Sequence, residues 1–183
     1  NADKIDTDEC NVKYEDLDLI DKWLLSKYNT LVKNVRASFD EYDLNKVVHF
    51  LTDFVCEDLS NWYIRRNRNR FWDSHLTTSK KAVYKTTYDV LVGLSKLIAP
   101  IVPYISEEMY RNLTNEESVH LSNYPVVNEE YINSTIEEKM DKVRDLISLG
   151  RNAREDSKIK VRIPLATVII DGKLEDLLGD LTN

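Results

Sequence analysis

The chain has 183 residues, of which 42% are apolar and 31% are charged, and its formal net charge at neutral pH is −7. These proportions suit one soluble domain with a real core, and only four glycines and four prolines argue against a loop-rich sandwich, a collagenous chain or a long linker. Two cysteines, Cys10 and Cys56, are too few for a disulfide framework or a multi-ligand metal site, so we expect both to be reduced thiols. The sequence has no signal peptide and no apolar run of roughly 18 residues. We therefore expect a cytoplasmic protein with no membrane span.

The N-terminal half predicts two helices. Residues 1–13 are polar and acidic and suggest a linker or a cloning remnant, and the missing initiator Met suggests a piece of a longer chain. From Tyr14 the apolar residues recur every three or four positions up to Val35, which predicts a long amphipathic helix. Asp43 is suited to cap a second helix, whose apolar positions continue to Trp62.

Three further helices are predicted downstream. The third begins at Thr78 or Ser79 and ends before Pro100. Pro103 is suited to the first turn of a short fourth helix, because its missing N–H costs nothing there. Residues 134–137 read Ser-Thr-Ile-Glu, a capping box that predicts the start of a fifth helix.

The pattern changes after the fifth helix. Residues 159–163 alternate between apolar and charged, and residues 166–170 are rich in β-branched side chains. This pattern predicts two short strands. We therefore expect an all-α, antiparallel helix bundle over 14–158, followed over 159–183 by the start of a short, truncated α/β or β region.

Positive charge is concentrated in two parts of this acidic chain. Residues 61–85 carry seven basic side chains and one acidic one, and residues 151–163 carry five basic and two acidic. Such islands concentrate positive potential while the rest of the surface repels polyanions. Charge alone is equally consistent with basic residues scattered over a solvated face.

The end of the second helix is unusual. At 100° per residue, the face that is apolar up to Trp62 continues into arginine and asparagine. Four arginines cannot be buried unpaired in a core, so we expect the helix to extend beyond the bundle and present its last two turns to a partner. Arginine makes bidentate contacts to phosphate and aromatic rings stack on unpaired bases, so this composition favours RNA as the partner. The alternative interpretation is structural: the arginines are attracted to the negative end of the helix dipole, and the aromatic residues belong to the core.

Three ordered motifs resemble one family. Residues 60–72, SNWYIRRNRNRFW, resemble the signature of the anticodon-binding helical domain of isoleucyl-tRNA synthetases; valyl and leucyl relatives share the Ser-Trp-Tyr element but usually lack the Arg-x-Arg-x-Arg-Phe-Trp continuation. Residues 97–110, LIAPIVPYISEEMY, resemble a segment of class I synthetases. Residues 150–154 and 160–165 resemble the exit from the bundle.

The resemblance implies a tRNA-binding part of an enzyme that attaches isoleucine to its tRNA with ATP. It implies as partners isoleucine tRNA and the catalytic domain of the same parent chain, with no DNA and no membrane, and we expect the fragment itself to be monomeric. The chain lacks the His-x-Gly-His and Lys-Met-Ser-Lys-Ser motifs of such an enzyme. We therefore expect no catalytic residue, cofactor or metal in the fragment; ATP, and a zinc-bearing or other appended domain, would belong to the rest of the parent.

The resemblance and the local chemistry suggest roles for individual residues. Arginines would hold phosphates, asparagines and tryptophans would contact unstacked bases, and the second basic island would add backbone contacts. The candidate tRNA-binding residues are Trp62, Arg65, Arg66, Asn67, Arg68, Asn69, Arg70, Trp72, Arg151 and Arg154. Two alternatives stay open: a valyl- or leucyl-type bundle, and a helical protein-interaction scaffold whose basic helix end docks an acidic partner.

Overall fold

The computed structural model describes residue 10, residues 12–165 and residue 167. The chain forms two compact units, Asn1–Asn133 and Ser134–Asn183. Within the described residues all regular secondary structure is helical, which confirms the predicted all-α bundle. The predicted domain boundaries at 13 and 158 stay predictions.

The first unit carries most of the helices. Its elements are α1 (Leu19–Asp40), α2 (Leu44–Asp53), a π-helical segment (Phe54–Ile64), α3 (Arg68–Phe71), α4 (Thr78–Ile98) and α5 (Pro103–Thr114). Short 3-10 turns at Tyr14–Asp16, Val119–Leu121 and Glu129–Tyr131 flank them. The second unit contains α6 (Ser134–Asp156).

Local capping explains where several of these helices begin and end. The Asp43 side chain accepts a 3.1 Å hydrogen bond from the Lys46 N–H, as predicted for the start of α2. At the start of α4, Thr77 accepts from the Lys80 N–H at 3.1 Å, so the cap lies just before the predicted first residue. α5 ends at Thr114 and is capped by Asn115, which adopts a left-handed conformation with φ 58°.

α1 is the central element of the first unit. It packs against α2, the π-helical segment and α4. Its apolar face buries Trp23, Leu24, Val32 and Val35 completely. Because the loop between α1 and α2 is short, these two helices run antiparallel, as in up-and-down bundles.

Polar side chains of α1 also hold the segment that follows α5. Ser26 Oγ accepts from the Asn133 N–H at 2.8 Å, and Asn29 Oδ1 accepts from the Asn128 N–H at 2.8 Å. Arg36 donates to the carbonyl of Pro125 at 2.9 Å. These bonds supply partners to backbone groups that lie outside regular helices, which keeps an irregular segment against the bundle.

The helical projection used for the second predicted helix is wrong in detail. The sequence predicts a single α-helix there, but after Asp53 the helix continues as a π-helix. Hydrogen bonds to the fifth residue along make each residue turn through less than 100°, so the phase of the apolar face shifts. Val55, which a continuous α-helix would place on the apolar face, is accordingly exposed. Val48, also expected on that face, is exposed too, although it lies in α2 before the π-helical segment begins.

The prediction of a strand over residues 159–163 is also wrong. The Ile159 N–H donates to the Arg154 carbonyl at 2.8 Å and the Ile163 N–H donates to the Lys160 carbonyl at 3.0 Å. These local bonds close turns after α6, and a chain in turns cannot present the extended backbone of a strand. Except for Thr167, the second predicted strand lies outside the described residues.

Cys10 is buried and Cys56 is exposed, and the two do not form a disulfide with each other. Among the helices in the described part of the chain, none combines the length and the apolar character that crossing a bilayer requires.

Two glycines in helices offer a matched test of the packing. A Cβ at Gly93 in α4 would overlap the hydroxyl end of Tyr28, whereas a Cβ at Gly150 in α6 would meet nothing within 4 Å. We expect Gly93→Ala to lower the free energy of unfolding by about 1–3 kcal/mol through overpacking. Gly150→Ala should leave stability unchanged or raise it by up to about 1 kcal/mol, because alanine is the better helix former. Urea unfolding of both variants measures this, and a stabilising Gly93→Ala would contradict the packing described.

Candidate nucleic-acid interface

The arginine-rich helix end has an inner and an outer face. Backbone N–H groups of Asn67, Phe71 and Trp72 donate to carbonyls four residues earlier, each at 3.1 Å. The backbone therefore returns to α-helical hydrogen bonding after the π-helical segment ends at Ile64. On such a path side chains three and four positions apart share a face. Tyr63, Asn67 and Arg70 accordingly share the inner face.

The inner face centres on a buried ion pair. Asp21 of α1 has a side chain with 0% exposure. Its two oxygens accept from the Arg70 guanidinium, Nη1 to Oδ1 at 2.9 Å and Nη2 to Oδ2 at 2.7 Å. This bidentate arrangement matches the planar fork of arginine to the carboxylate and gives strong charge-assisted bonds.

The remaining donors of Arg70 also bind protein atoms. Nε donates to Ser79 Oγ at 2.8 Å and Nη2 to the Ser79 carbonyl at 2.9 Å. Nη1 donates to Asn67 Oδ1 at 2.9 Å, and Asp18 lies 3.0 Å from Nη2. The guanidinium is thus saturated by α1, α4 and its own helix end. Arg70 was expected to hold a phosphate, but the structure turns it inward.

Tyr63 and Asn67 complete the inner face. The Tyr63 hydroxyl donates to Asp21 Oδ1 at 2.6 Å, and the Asn67 amide donates to the Tyr63 carbonyl at 2.9 Å. Burial and the Asp21 charge raise the pKa of Tyr63 well above its usual range. Burial works against the charged form of Arg70, but the bonds and charge of Asp21 outweigh it and raise the pKa of Arg70. Asn67 was expected to contact a base, yet it too is buried.

The outer face carries four exposed side chains. Arg65, Arg68, Asn69 and Trp72 are spaced by three and four residues, so they are neighbours on the helix surface. Within the described part of the chain, Arg65 and Asn69 make no hydrogen bond or ion pair with the protein. The Arg68 guanidinium lies 5.6 Å from the centre of the Trp72 ring. Trp72 is 78% exposed, which is rare for so large an apolar side chain.

A second cation–aromatic pair lies beside this outer face. The Arg66 guanidinium is 5.0 Å from the centre of the Trp62 ring, one helical turn away. Both side chains are half-buried. The structure therefore brings together Arg65, Arg66, Arg68, Asn69, Trp62 and Trp72 in one stretch of surface-accessible helix.

The second basic island belongs to the second unit. Arg151 is exposed on α6. Arg154 donates to the Lys160 carbonyl at 3.4 Å and to the Ile163 carbonyl at 2.9 Å, so it stabilises the turns after that helix. Arg151 therefore offers its full charge to solvent, whereas Arg154 already has backbone acceptors.

Sequence analysis missed Asp21 and Ser79 as parts of this site. The signal was present: Asp21 occupies an otherwise apolar stripe, three residues before Leu24, and a carboxylate there needs a cationic partner. Four arginines were candidates for that partner, and nothing in their spacing singled out Arg70. Within the described residues, no group of three or more histidine, cysteine or acidic side chains is placed to hold a metal ion.

The described part of the chain is an all-α bundle whose arginine-rich helix end presents a cationic, aromatic surface. The family described as the anticodon-binding domain of tRNA ligases matches residues 21–170 of this sequence. Because the match covers most of the chain, the chain belongs to that family.

Individual relatives agree with this assignment. An isoleucine–tRNA ligase of Chlamydia trachomatis serovar L2 is 46% identical over 159 residues, which are 85% of this chain and 15% of that protein. One of Clostridium novyi is 42% identical over 180 residues, 93% of this chain and 17% of that protein. The isoleucine–tRNA ligase 2 of Bacillus thuringiensis is 42% identical over 151 residues, which are 82% of this chain and 14% of that protein. The resemblance seen in residues 60–72 is confirmed, and the chain spans about a sixth of the length of these curated relatives.

The two carboxylates that face Arg70 offer a matched test of the inner face. Asp21→Asn removes the buried charge partner and should lower the free energy of unfolding by about 3 kcal/mol. Asp18→Asn removes a carboxylate that is 54% exposed and should cost less than about 1 kcal/mol. Urea unfolding measures both. Equal losses in the two variants would show that the buried pair does not hold the helix end.

Proposed function

We propose that the chain is the anticodon-binding domain of an isoleucine–tRNA ligase and that it binds the anticodon stem-loop of isoleucine tRNA. The observation that carries the proposal is the outer face, on which Arg65, Arg68, Asn69 and Trp72 are exposed together in a chain of this family. The names of the relatives support isoleucine as the amino acid. In this proposal the domain contributes binding, and the ligation takes place in the rest of the parent chain.

The two arginines of the outer face and the neighbouring Arg66 hold the RNA backbone in this proposal. Arg65 and Arg68 present guanidinium groups to solvent, and Arg66 lies against Trp62 at the edge of the same surface. Phosphate oxygens match the planar fork of arginine, so these contacts fix the register of the RNA without reading its sequence. Arg70 and Asn67 do not contact the RNA in this proposal, because their polar groups already bind protein atoms.

The charge pattern supports the choice of this surface over the others. Residues 61–85 have seven basic side chains and one acidic one, while the whole chain has a net charge of −7. A polyanion is repelled by most of such a surface and attracted to its basic regions, of which residues 61–85 carry the larger positive charge. Arg151 in the second unit is an auxiliary backbone contact in this proposal, and Arg154 a weaker one because of its backbone bonds.

The other partners follow from the same proposal. ATP, the catalytic residues and any zinc-bearing appended domain belong to the parent chain, whose catalytic domain is the covalent neighbour of this one. The domain works in the cytoplasm as a monomeric module, with tRNA as its nucleic acid and with neither DNA nor a membrane as a partner.

The direct test is a binding titration with three RNAs. The chain is titrated with isoleucine tRNA, the same tRNA with a swapped anticodon, and a valine or leucine tRNA, each at two salt concentrations. An acidic polypeptide of similar charge is titrated for comparison. We expect the tightest binding to isoleucine tRNA and a loss of affinity as salt rises. Tighter binding to valine or leucine tRNA would assign the chain to a valyl- or leucyl-type synthetase instead. An acidic polypeptide of similar charge that binds as well as tRNA would indicate a protein-interaction scaffold instead.

A pair of charge-matched variants tests the outer face. Replacing Arg65 and Arg68 by alanine should weaken tRNA binding at least tenfold at low salt, because each substitution removes charged hydrogen bonds to phosphate. The slope of log affinity against log salt should fall by about 0.7–0.9 for each phosphate that the protein no longer neutralises. The control replaces Lys33 and Arg111, two exposed cations of α1 and α5. If both double variants bind tRNA equally, net charge rather than this face accounts for binding.

A further inference from the structure

We propose that a pocket in the first unit binds a small, neutral aromatic molecule that carries one hydrogen-bonding group. The pocket has a volume of about 400 Å³, and because Tyr14, Tyr28 and Tyr131 line it, we call it the tyrosine pocket. Its lining residues all lie within 12–29, 85–90 and 128–131. They come from outside the arginine-rich helix end, so this inference does not rest on the proposed function.

The tyrosine pocket extends from the surface into the core of the first unit. Among its lining residues, Leu17, Thr86 and Val90 are buried, whereas Asp89 and Asn128 are exposed. The buried residues therefore form its floor and the exposed ones its mouth. Its volume lies near the lower end of the range of ligand pockets, about 300–1,000 Å³, which suits a ligand of one or two fused rings.

The aromatic walls are held by contacts within the protein. The rings of Tyr14 and Tyr131 are stacked, with centres 4.7 Å apart and planes inclined by 8°. The ring of Tyr28 lies 6.3 Å from that of Phe54, and its hydroxyl end lies against Gly93. Because these rings are already ordered, a ligand loses little affinity to their ordering. Aromatic walls interact best with another aromatic ring, either stacked or edge-on.

Two asparagines hold the mouth of the pocket in place. Asn29 Oδ1 accepts from the Asn128 N–H at 2.8 Å, and Asn29 Nδ2 donates to the Leu25 carbonyl at 2.8 Å. Asn128 Oδ1 in turn accepts from the Glu130 N–H at 3.1 Å. These bonds keep the Glu129–Tyr131 turn against α1, so the pocket is formed before any ligand binds.

Thr86 supplies a polar group for the ligand at the floor of the pocket. The residue is only 2% exposed, and its hydroxyl makes no hydrogen bond within the described residues. The hydroxyl of the next residue, Thr87, instead donates to the Val83 carbonyl at 2.6 Å, the usual bond of a threonine in a helix. A buried hydroxyl without a partner carries a desolvation cost, which a polar atom of the ligand would remove.

The charges at the pocket favour a neutral ligand. Lys85 and Asp89 are the two charged lining residues, and they form an ion pair with Nζ and Oδ1 2.6 Å apart. Burial raises the pKa of Tyr28, and burial and the neighbouring Tyr131 raise the pKa of Tyr14, so both tyrosines stay uncharged at neutral pH. The opposite charges of the pair cancel, which favours a neutral compound over a nucleotide or an amino acid.

The test uses the full chain and indole, a neutral bicyclic probe with one N–H donor. Backbone amide signals of the nitrogen-15 labelled chain are followed as indole is added. We expect the signals of residues 85–90 to shift, with a dissociation constant on the order of 1 mM for so small a ligand. Indole carboxylate, which adds a negative charge to the same rings, should bind at least tenfold more weakly.

A pair of threonine variants tests the polar contact. Thr86→Val removes the unpaired hydroxyl and keeps the branched shape, so it should weaken indole binding by about three- to tenfold. Thr87→Val is the matched control, because its hydroxyl already has a partner in the helix. It should bind indole as wild type does. N-methylindole lacks the N–H donor, so it should bind wild type and Thr86→Val equally.

Each outcome decides for or against the tyrosine pocket. Shifts at residues 85–90, together with a loss of affinity confined to Thr86→Val and to indole, would support the proposal. The absence of binding up to the solubility limit of indole would overturn it, as would shifts confined to other residues. Equal binding of indole and its carboxylate would also contradict it, because the pocket would then not select for neutral charge. A Thr86→Val variant that binds indole as tightly as wild type would show that this hydroxyl does not contact the ligand.

Discussion

A negative charge in the core of the first unit constrains the rest of the structure. The Asp21 side chain is shielded from water, and an ionised carboxylate there is tolerable only if a cation and other donors replace its hydration. Arg70 supplies two parallel bonds and Tyr63 a third. Lysine could not do the same, because a point charge lacks the planar fork that also reaches Ser79.

The same pair decides which way the helix end faces. Once Arg70 is tied to α1 and α4, helical geometry keeps Asn67 and Tyr63 on the same inner face and turns Arg65, Arg68 and Asn69 outward. Arg65 and Arg68 then cannot find partners in the core and remain in solvent with Trp72. One arginine is thus used for structure, and its neighbours are held on a rigid surface. In the proposed function this rigidity lowers the ordering cost of binding RNA.

Local signals in the sequence were enough to predict the helices, but not the inner and outer faces of the arginine-rich helix end. Asp43 and Pro103 mark helix starts by chemistry that acts within a few residues, and both predictions were confirmed. Arg68 and Arg70 look alike in sequence, and only the long-range position of Asp21 distinguishes them. The π-helical segment shifted the helical phase, which no residue pattern announced. The alternation at 159–163 failed as a strand signal because the backbone bonds made after α6 close turns instead.

The most direct measurement is the response of individual arginine side chains to RNA. In a chain labelled with nitrogen-15, each arginine Nε–H gives its own signal, which can be assigned by single substitutions and followed as the anticodon stem-loop is added. The account predicts large shifts or broadening for Arg65 and Arg68. The Nε–H of Arg70, bonded to Ser79, should keep its position and its slow exchange with water. A shift at Arg70 equal to that at Arg68, or none at Arg65 and Arg68 while RNA binds, would contradict the two-faced helix end.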